Sequence, residues 1–238
     1  MEEEAKWIVV TGGSKGIGKA ILETFLAEGF YGITCARNGQ DLIRLKEEMK
    51  EGYPDCQLYT LQADLSIKKE CVLFSDFVKG ATTRLDVLVN NAGYFLPGQL
   101  QNEHDGTLEN MLNANLGSAY HVTRALLPIF TEQAQGHIFT ICSTASIIPY
   151  VNGGSYCISK YALLGFNKVL REEMKHRGIR VTSVLPGATL TDSWKGVDLP
   201  SERFMKPQDI AKAVLACWRL SDHTVVEELL LRPQLGDI

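Results

Sequence analysis

The chain has 238 residues, 45% hydrophobic and 22% charged, with a formal net charge of −4. That length supports a sizeable core, and the acidic balance argues against a broad basic surface for nucleic acid. No apolar run reaches the ~18 residues that a membrane span needs, and the acidic start lacks the features of a secretion signal. Six scattered cysteines contain no Cys-x-x-Cys pair, and five histidines show no ligand spacing. Neither a disulfide framework nor a metal site is expected. Free thiols in a reducing cytosol fit better.

Strand-like and helix-like segments alternate along the chain. Trp7–Thr11 reads as the first strand, and Gly16–Glu28 as a helix with Ile17, Ile21, Leu22 and Phe25 at helical spacing. The second strand, Ile33–Ala36, leads to a charged amphipathic helix over Asp41–Met49. Strands over Leu58–Ala63 and Val87–Asn90 follow, then a long helix over Thr107–Ile129. His137–Cys142 is a strand, Ser155–Arg177 a second long helix, and Arg180–Leu185 a strand. Pro207 favours a helix start for Gln208–Arg219, and Val225–Leu231 is the last strand. Most of these strands are continuously apolar, as strands covered on both faces are. The alternation predicts an α/β fold: a parallel sheet with helices on both sides. No linker, repeat or charge block divides the chain, so one domain, 1–238, is expected.

The first strand ends in Thr11-Gly12-Gly13-Ser14-Lys15-Gly16-Ile17-Gly18, with a helix directly after it. Gly12 permits a tight turn, Gly16 lets backbone approach a pyrophosphate, and Gly18 allows close helix packing. The phosphates would sit on free N–H groups at the positive helix end. Two other patterns overlap this segment. Gly13 to Lys19 matches most of a phosphate-binding Walker loop, but Ala20 stands where a magnesium-holding hydroxyl belongs. Gly12 to Gly16 also fits the Gly-x-Ser-x-Gly nucleophile elbow, with Asp192 and His223 in triad order behind Ser14. On this segment alone the hydrolase alternative stays open.

Downstream residues favour a nicotinamide site. Asn90-Asn91-Ala92-Gly93 closes the fourth strand, at the crevice where strand order reverses. Asn115 lies inside a helix, where Asn is disfavoured without a local task. Ser143 follows a strand at its carboxyl edge. Tyr156 and Lys160 share one helix face, and a cation there would lower the phenol pKa from its usual ~10. Such a tyrosine suits general acid/base work.

Taken together, Thr-Gly-x-x-x-Gly-x-Gly, Asn-Asn-Ala-Gly, Ser143 and Tyr156-x-x-x-Lys160 resemble the short-chain dehydrogenase/reductase family along essentially the whole chain. Pro186-Gly187 with Thr191 resembles that family's nicotinamide-flanking segment, and Thr189 falls within it. The resemblance implies a Rossmann sheet of seven parallel strands ordered 3-2-1-4-5-6-7. It further implies hydride transfer to a carbonyl, with Tyr156 protonating the oxygen, Ser143 aligning it and Lys160 bonding the ribose. Asn115 would hold a water that resupplies protons, and Asp64, beside Leu65, would meet the adenine amino group. The tail, Thr224–Pro233 and Gly236–Ile238, is similar to that of sepiapterin-reductase-like members.

At the end of the second strand, Ala36-Arg37-Asn38 carries no carboxylate to take a ribose 2′-hydroxyl. Arg37 offers a planar fork to a 2′-phosphate and Lys15 a second cation, so NADP(H) is the expected cofactor. Residues 188–206 read as a substrate lid, and Trp194, Leu199 and Phe204 in it suit either a hydrophobic substrate or core packing. A small-molecule carbonyl substrate is expected, with no nucleic-acid or membrane partner. Leu108, Met111, Leu112, Ala119 and Val122 on one long helix exceed a single sheet-facing stripe, as do Tyr161, Leu164, Phe166 and Leu170 on the other. That surplus points to a homodimer, or a tetramer completed by the tail. A reductase fold that senses NADPH without turnover is the other open reading.

Overall fold

Consecutive residues of a strand face opposite sides of a sheet, so a strand buried on both sides is apolar at every position. In the computed structural model, which describes residues 5–194 and 196–238, the inner strands are largely apolar, with Thr34, His137, Thr140 and Thr182 buried among them. Seven parallel strands pair in the order β3-β2-β1-β4-β5-β6-β7. They are β1 (Trp7–Thr11), β2 (Tyr31–Ala36), β3 (Leu58–Gln62), β4 (Val87–Asn90), β5 (Gly136–Ile141), β6 (Ile179–Pro186) and β7 (Glu228–Leu231).

Ile8 and Val10 of β1 meet α1 (Gly16–Leu26) and α7 (Pro207–Trp218), through Ile21, Phe25, Ile210 and Val214. Val9, between them, faces the other layer, where α3 (Lys68–Ala81) and α5 (Ser118–Gln133) bring Phe74, Val122 and Phe130. Full burial of such a side chain contributes roughly 1.5–3 kcal/mol, so both layers are needed to hold the central strands. The charged helix α2 (Gly39–Gly52) adds Leu45 and Met49 to the first layer.

Three features differ from the sequence-based expectation. Helix α3 was not among the expected elements; its buried Cys71, Phe74, Ser75 and Val78 keep helical spacing, but charged and polar neighbours obscure the stripe. The expected helix Thr107–Ile129 is α4 (Thr107–Leu112), a π-helical turn over Asn113–Gly117, and α5. The last strand is shorter than Val225–Leu231, with only Glu228–Leu231 in the sheet edge. The other boundaries agree to within a few residues.

The surplus apolar stripe is also corrected. Met111, Ala119, Val122, Leu164 and Leu170 are buried within the chain itself. Of the expected positions Tyr161 is exposed, and α5 and α6 (Gly154–Met174) also expose Tyr120, Ile158 and Val169. Among the described residues all six cysteines are free, no metal-holding cluster occurs, and no helix is long and apolar enough to cross a membrane.

Candidate active site

Because β2 and β4 flank β1 on opposite sides, the chain leaves the ends of β1 and β4 in diverging directions. A crevice opens there, at the carboxyl edge of the sheet, as it does in open α/β folds. It is a cleft of about 1380 Å³.

The glycine turn forms its floor. Gly12 and Gly16 both adopt positive φ, +67° and +56°, where a side chain would be strained. Lys15 precedes α1 without a side-chain cap, and the first turn of α1 holds no acidic residue. Its N–H groups are thus left for an anion. The turn is braced from β4: Asn91 Nδ2 donates to the carbonyls of Thr11 and Gly12, both at 3.0 Å. Thr11 Oγ1 in turn accepts from the amides of Asn91 and Ala92 at 2.9 and 3.0 Å. From β2, Thr34 Oγ1 accepts from Gly13 N at 3.0 Å and donates to Val10 O at 2.7 Å. Neither threonine was foreseen, because each acts on a distant strand.

Of the sequence-predicted residues, Ser14, Ile17, Arg37, Asn38, Asp64, Leu65, Gly93, Ser143, Tyr156, Lys160, Pro186, Gly187, Thr189 and Thr191 line the same cleft as Gly12, Lys15, Gly16, Asn91 and Ala92. Gly18 does not. It lies behind the wall, where a Cβ would come within 2.3 Å of Asn91 Nδ2, so its smallness serves the brace. Asn115 is also behind the wall, 1% exposed in the π-helical turn. Its Oδ1 accepts from Tyr94 N at 2.9 Å, and its Nδ2 donates to Ser159 Oγ at 2.9 Å. Ser159 Oγ donates onward to the carbonyl of Tyr156 at 2.8 Å. The unusual helical asparagine therefore has its task, which is to connect the strand β4 loop to the helix of Tyr156.

Around the chemistry, Ser143 stands two residues past β5, its Oγ accepting from Ala145 N at 3.1 Å. Tyr156 lies in the first turn of α6, its ring edge-on to Phe95 with centroids 4.8 Å apart. Lys160 is buried one turn on and donates to Ile141 O at 2.9 Å. Burial pushes the Tyr156 phenol up to about 12, opposed by its hydrogen bond with Ser143. Burial also lowers the Lys160 pKa. Desolvation therefore moves the phenol opposite to the lowering expected from Lys160, whose Nζ lies 5.9 Å from the ring centre.

Lys15 lines the cleft, with its Nζ paired with Asp41 Oδ2 at 2.8 Å. Arg37 has no ion pair among the described residues and reaches the cleft at the end of β2. Asp64 spends Oδ1 on Ser66, at 3.0 Å from its N and 2.8 Å from its Oγ.

The opposite half of the cleft is walled by Phe95, Ile148, Tyr150, Val151 and Trp194. All but Trp194 escaped the sequence reading, although the runs Tyr94–Pro97 and Ile147–Val151 are apolar and adjoin the motifs. In the lid, Phe204 is 8% exposed and packs on Trp194, while Leu199 is exposed; neither lines the cleft. Lys195, within the same segment, lies outside the described residues. Asp237 and Ile238 of the tail do reach the cleft. The Ser14 triad does not assemble: Ser14 and Asp192 line the cleft, but His223 lies exposed ahead of β7, at the opposite edge of the parallel sheet.

Comparison with known proteins agrees with this geometry. The family model of short chain dehydrogenase matches residues 6–200. The chain is 31% identical to a sepiapterin reductase of Chlorobaculum tepidum, over 97% of each protein. Its structure is similar to that of an alcohol dehydrogenase from the archaeon Thermococcus sibiricus complexed with 5-hydroxy-NADP, at TM-score 0.90 and 26% identity over 99% of each chain. It is also similar to a 7α-hydroxysteroid dehydrogenase complexed with NADH and 7-oxo glycochenodeoxycholic acid, at TM-score 0.86 and 27% identity, covering 98% of this chain and 94% of that one. The sheet order agrees with the family match, and the chain belongs to the short-chain dehydrogenase/reductase family of oxidoreductases.

Proposed function

We propose that this chain is an NADPH-dependent reductase of apolar or aromatic ketones and aldehydes, with Tyr156 as proton donor. The observation that carries the reading is one cleft with two halves. Uncapped helix N–H groups and Arg37, which has no ion pair among the described residues, lie in one, and Ser143 and Tyr156 in the other. These residues fit the dinucleotide: α1 receives the pyrophosphate, Arg37 the 2′-phosphate, and the free oxygen of Asp64 the adenine amino group. Bound nicotinamide would supply the hydride.

The chain's own residues supply the rest. Ser143 hydrogen-bonds the substrate oxygen and orients it, and Tyr156 passes its proton to that oxygen as charge develops there. A phenol pushed up to about 12 is fully protonated near neutrality, as a donor must be. Lys160, a buried cation bonded to a carbonyl, turns toward the ribose hydroxyls and the phenol. Asn115 holds the π-helical turn and, by family likeness, a water that resupplies protons. The chain would act as one domain, 1–238, in the cytosol, with 188–206 as the lid.

The aromatic wall around Tyr156 supports a flat or bulky apolar substrate. Since a relative is a sepiapterin reductase, a pterin side-chain ketone belongs in the test beside diketones, quinones and aldehydes. NADPH oxidation with at least one of these is the expected result. Tight NADPH binding without turnover on any of them would instead support the sensor reading.

We further propose a homodimer, closed through the exposed face of α5 and α6 that carries Tyr120, Ile158, Tyr161 and Val169. Light scattering at micromolar concentration should give twice the 26.4 kDa chain mass or more. A mass equal to one chain, unchanged on concentrating, refutes the dimer.

A further inference from the structure

Helix α6 carries the tyrosine in its first turn, yet its own sequence does not cap it. The residue before it is Gly153, and no side chain there accepts from the helix amides. The acceptor comes from 52 residues earlier: Glu103 Oε1 accepts from Ser155 N at 2.8 Å. Glu103 Oε2 also accepts from the Ser155 hydroxyl. A carboxylate at a helix N-terminus satisfies free N–H groups and opposes the positive dipole end.

The fit around this carboxylate is tight. Gly154 adopts φ +31°, and a Cβ on it would stand 2.1 Å from Glu103 Oε1 and 2.6 Å from Gly98 O. The neighbouring backbone is tied as well: Gly98 bridges to Gly153, its N donates to Asn152 O at 2.9 Å, and Gln99 Nε2 donates to Asn152 Oδ1 at 2.8 Å. Asn152 is held at φ +68°, an uncommon conformation for a residue with a side chain. Two loops are thereby clasped, one with Phe95 and the other with Ile148, Tyr150 and Val151. They form the substrate wall on either side of Tyr156.

We propose that Glu103 is a positioning residue for the reaction: through Ser155 it sets the first turn of α6, and so places the Tyr156 phenol against the substrate wall. The proposal rests on Tyr156 being the proton donor. Glu103 does not line the cleft and touches no reacting atom. Its influence is geometric, and a misplacement of about 1 Å can cost ~100-fold in rate. The glycine turn, Arg37 and Asp64 follow the carboxyl ends of β1, β2 and β3, away from the clasp, so the cofactor half should be indifferent to it.

The test uses the full chain with Glu103→Ala, Glu103→Gln and Ser155→Ala. Glutamine keeps an oxygen for Ser155 N and offers its amide to the Ser155 hydroxyl, so it should hold the turn. Glu103→Ala should lower kcat at least ~10-fold and raise the substrate KM, with the NADPH Kd within about twofold of wild type. Glu103→Gln should stay within about threefold of wild type, and Ser155→Ala, which removes one of the two bonds, should fall between. Without cofactor, amide hydrogen exchange at 153–157 should quicken in Glu103→Ala and not in Glu103→Gln.

Wild-type kcat in Glu103→Ala would overturn the proposal. So would equal losses in Ala and Gln, or an NADPH Kd rising in step with the fall in kcat, since either marks general loosening. If Glu103→Ala does not fold, Ser155→Ala and Glu103→Gln carry the same comparison. A wild-type chain that binds NADPH and reduces no carbonyl refutes the reductase reading, while exchange at 153–157 still decides whether Glu103 holds the turn.

Discussion

Replacing Tyr156 with Phe is expected to lower carbonyl turnover by 10²–10⁴-fold, the usual worth of a positioned general acid, with NADPH affinity unchanged. The substitution removes one oxygen and keeps the ring, so the edge contact with Phe95 at 4.8 Å survives. Lost are the proton donor and its hydrogen bond with Ser143. More than about a tenth of the wild-type rate in this variant would remove Tyr156 from the mechanism, because that loss falls well short of general acid catalysis. The pH dependence has a defined sign. A phenol pushed up to about 12 remains protonated through neutrality, so its titration should not limit carbonyl reduction below that pH. Alcohol oxidation needs the phenolate, so its rate should rise with pH. Stopped-flow rates in both directions between pH 6 and 10, chosen to span about four decades of proton activity, check this.

Arg37→Ala is expected to raise the KM for NADPH by about 10- to 100-fold and to leave that for NADH nearly unchanged. Hydrogen bonds to a charged group contribute about 1.5–3 kcal/mol, and each 1.4 kcal/mol is about tenfold. Arg37 is the cation at the end of β2 that has no ion pair among the described residues. Lys15 has its charge engaged by Asp41 at 2.8 Å, and Arg44 lies 3.8 Å from the same carboxylate. Steady-state KM ratios for the two cofactors measure the effect directly. An unchanged ratio would assign the discrimination to Lys15 and require that its pair with Asp41 open when the phosphate arrives.

Much of the architecture is legible in the amino-acid sequence, since strands and helices announce themselves through the spacing of near neighbours. The apolar runs of β1 and β4–β6, the turn from Gly12 to Gly18, and Tyr156 and Lys160 one helical turn apart are all relations within a few residues. Even Asn115 is conspicuous locally, as a residue in the wrong place for a plain helix. Helix α3 is the exception, because its stripe of Cys71, Phe74 and Val78 is diluted by charged neighbours.

What only the tertiary structure decided are relations between segments far apart in the chain, and the amount of water left around a group. Lys15 looks like a free cation until α2 brings Asp41 against it. Gly18 reads as a place of close packing, but only the fold shows that Asn91 of the β4 edge fills the space beside it. The apolar surplus of the long helices looks like one continuous interface until folding buries Met111, Val122 and Leu170 within the chain and leaves Tyr120, Ile158, Tyr161 and Val169 outside. The Tyr156 pKa turns on the same distinction. Pairing with Lys160 is visible in the spacing and argues for a lower value, whereas desolvation depends on the walls around the ring and moves the phenol the other way. The cap on α6 is furnished by Glu103 from a different loop, and no local pattern contains it. Sequence periodicity encodes which face of an element is apolar; charge pairing, capping and desolvation depend on what folding brings to that face.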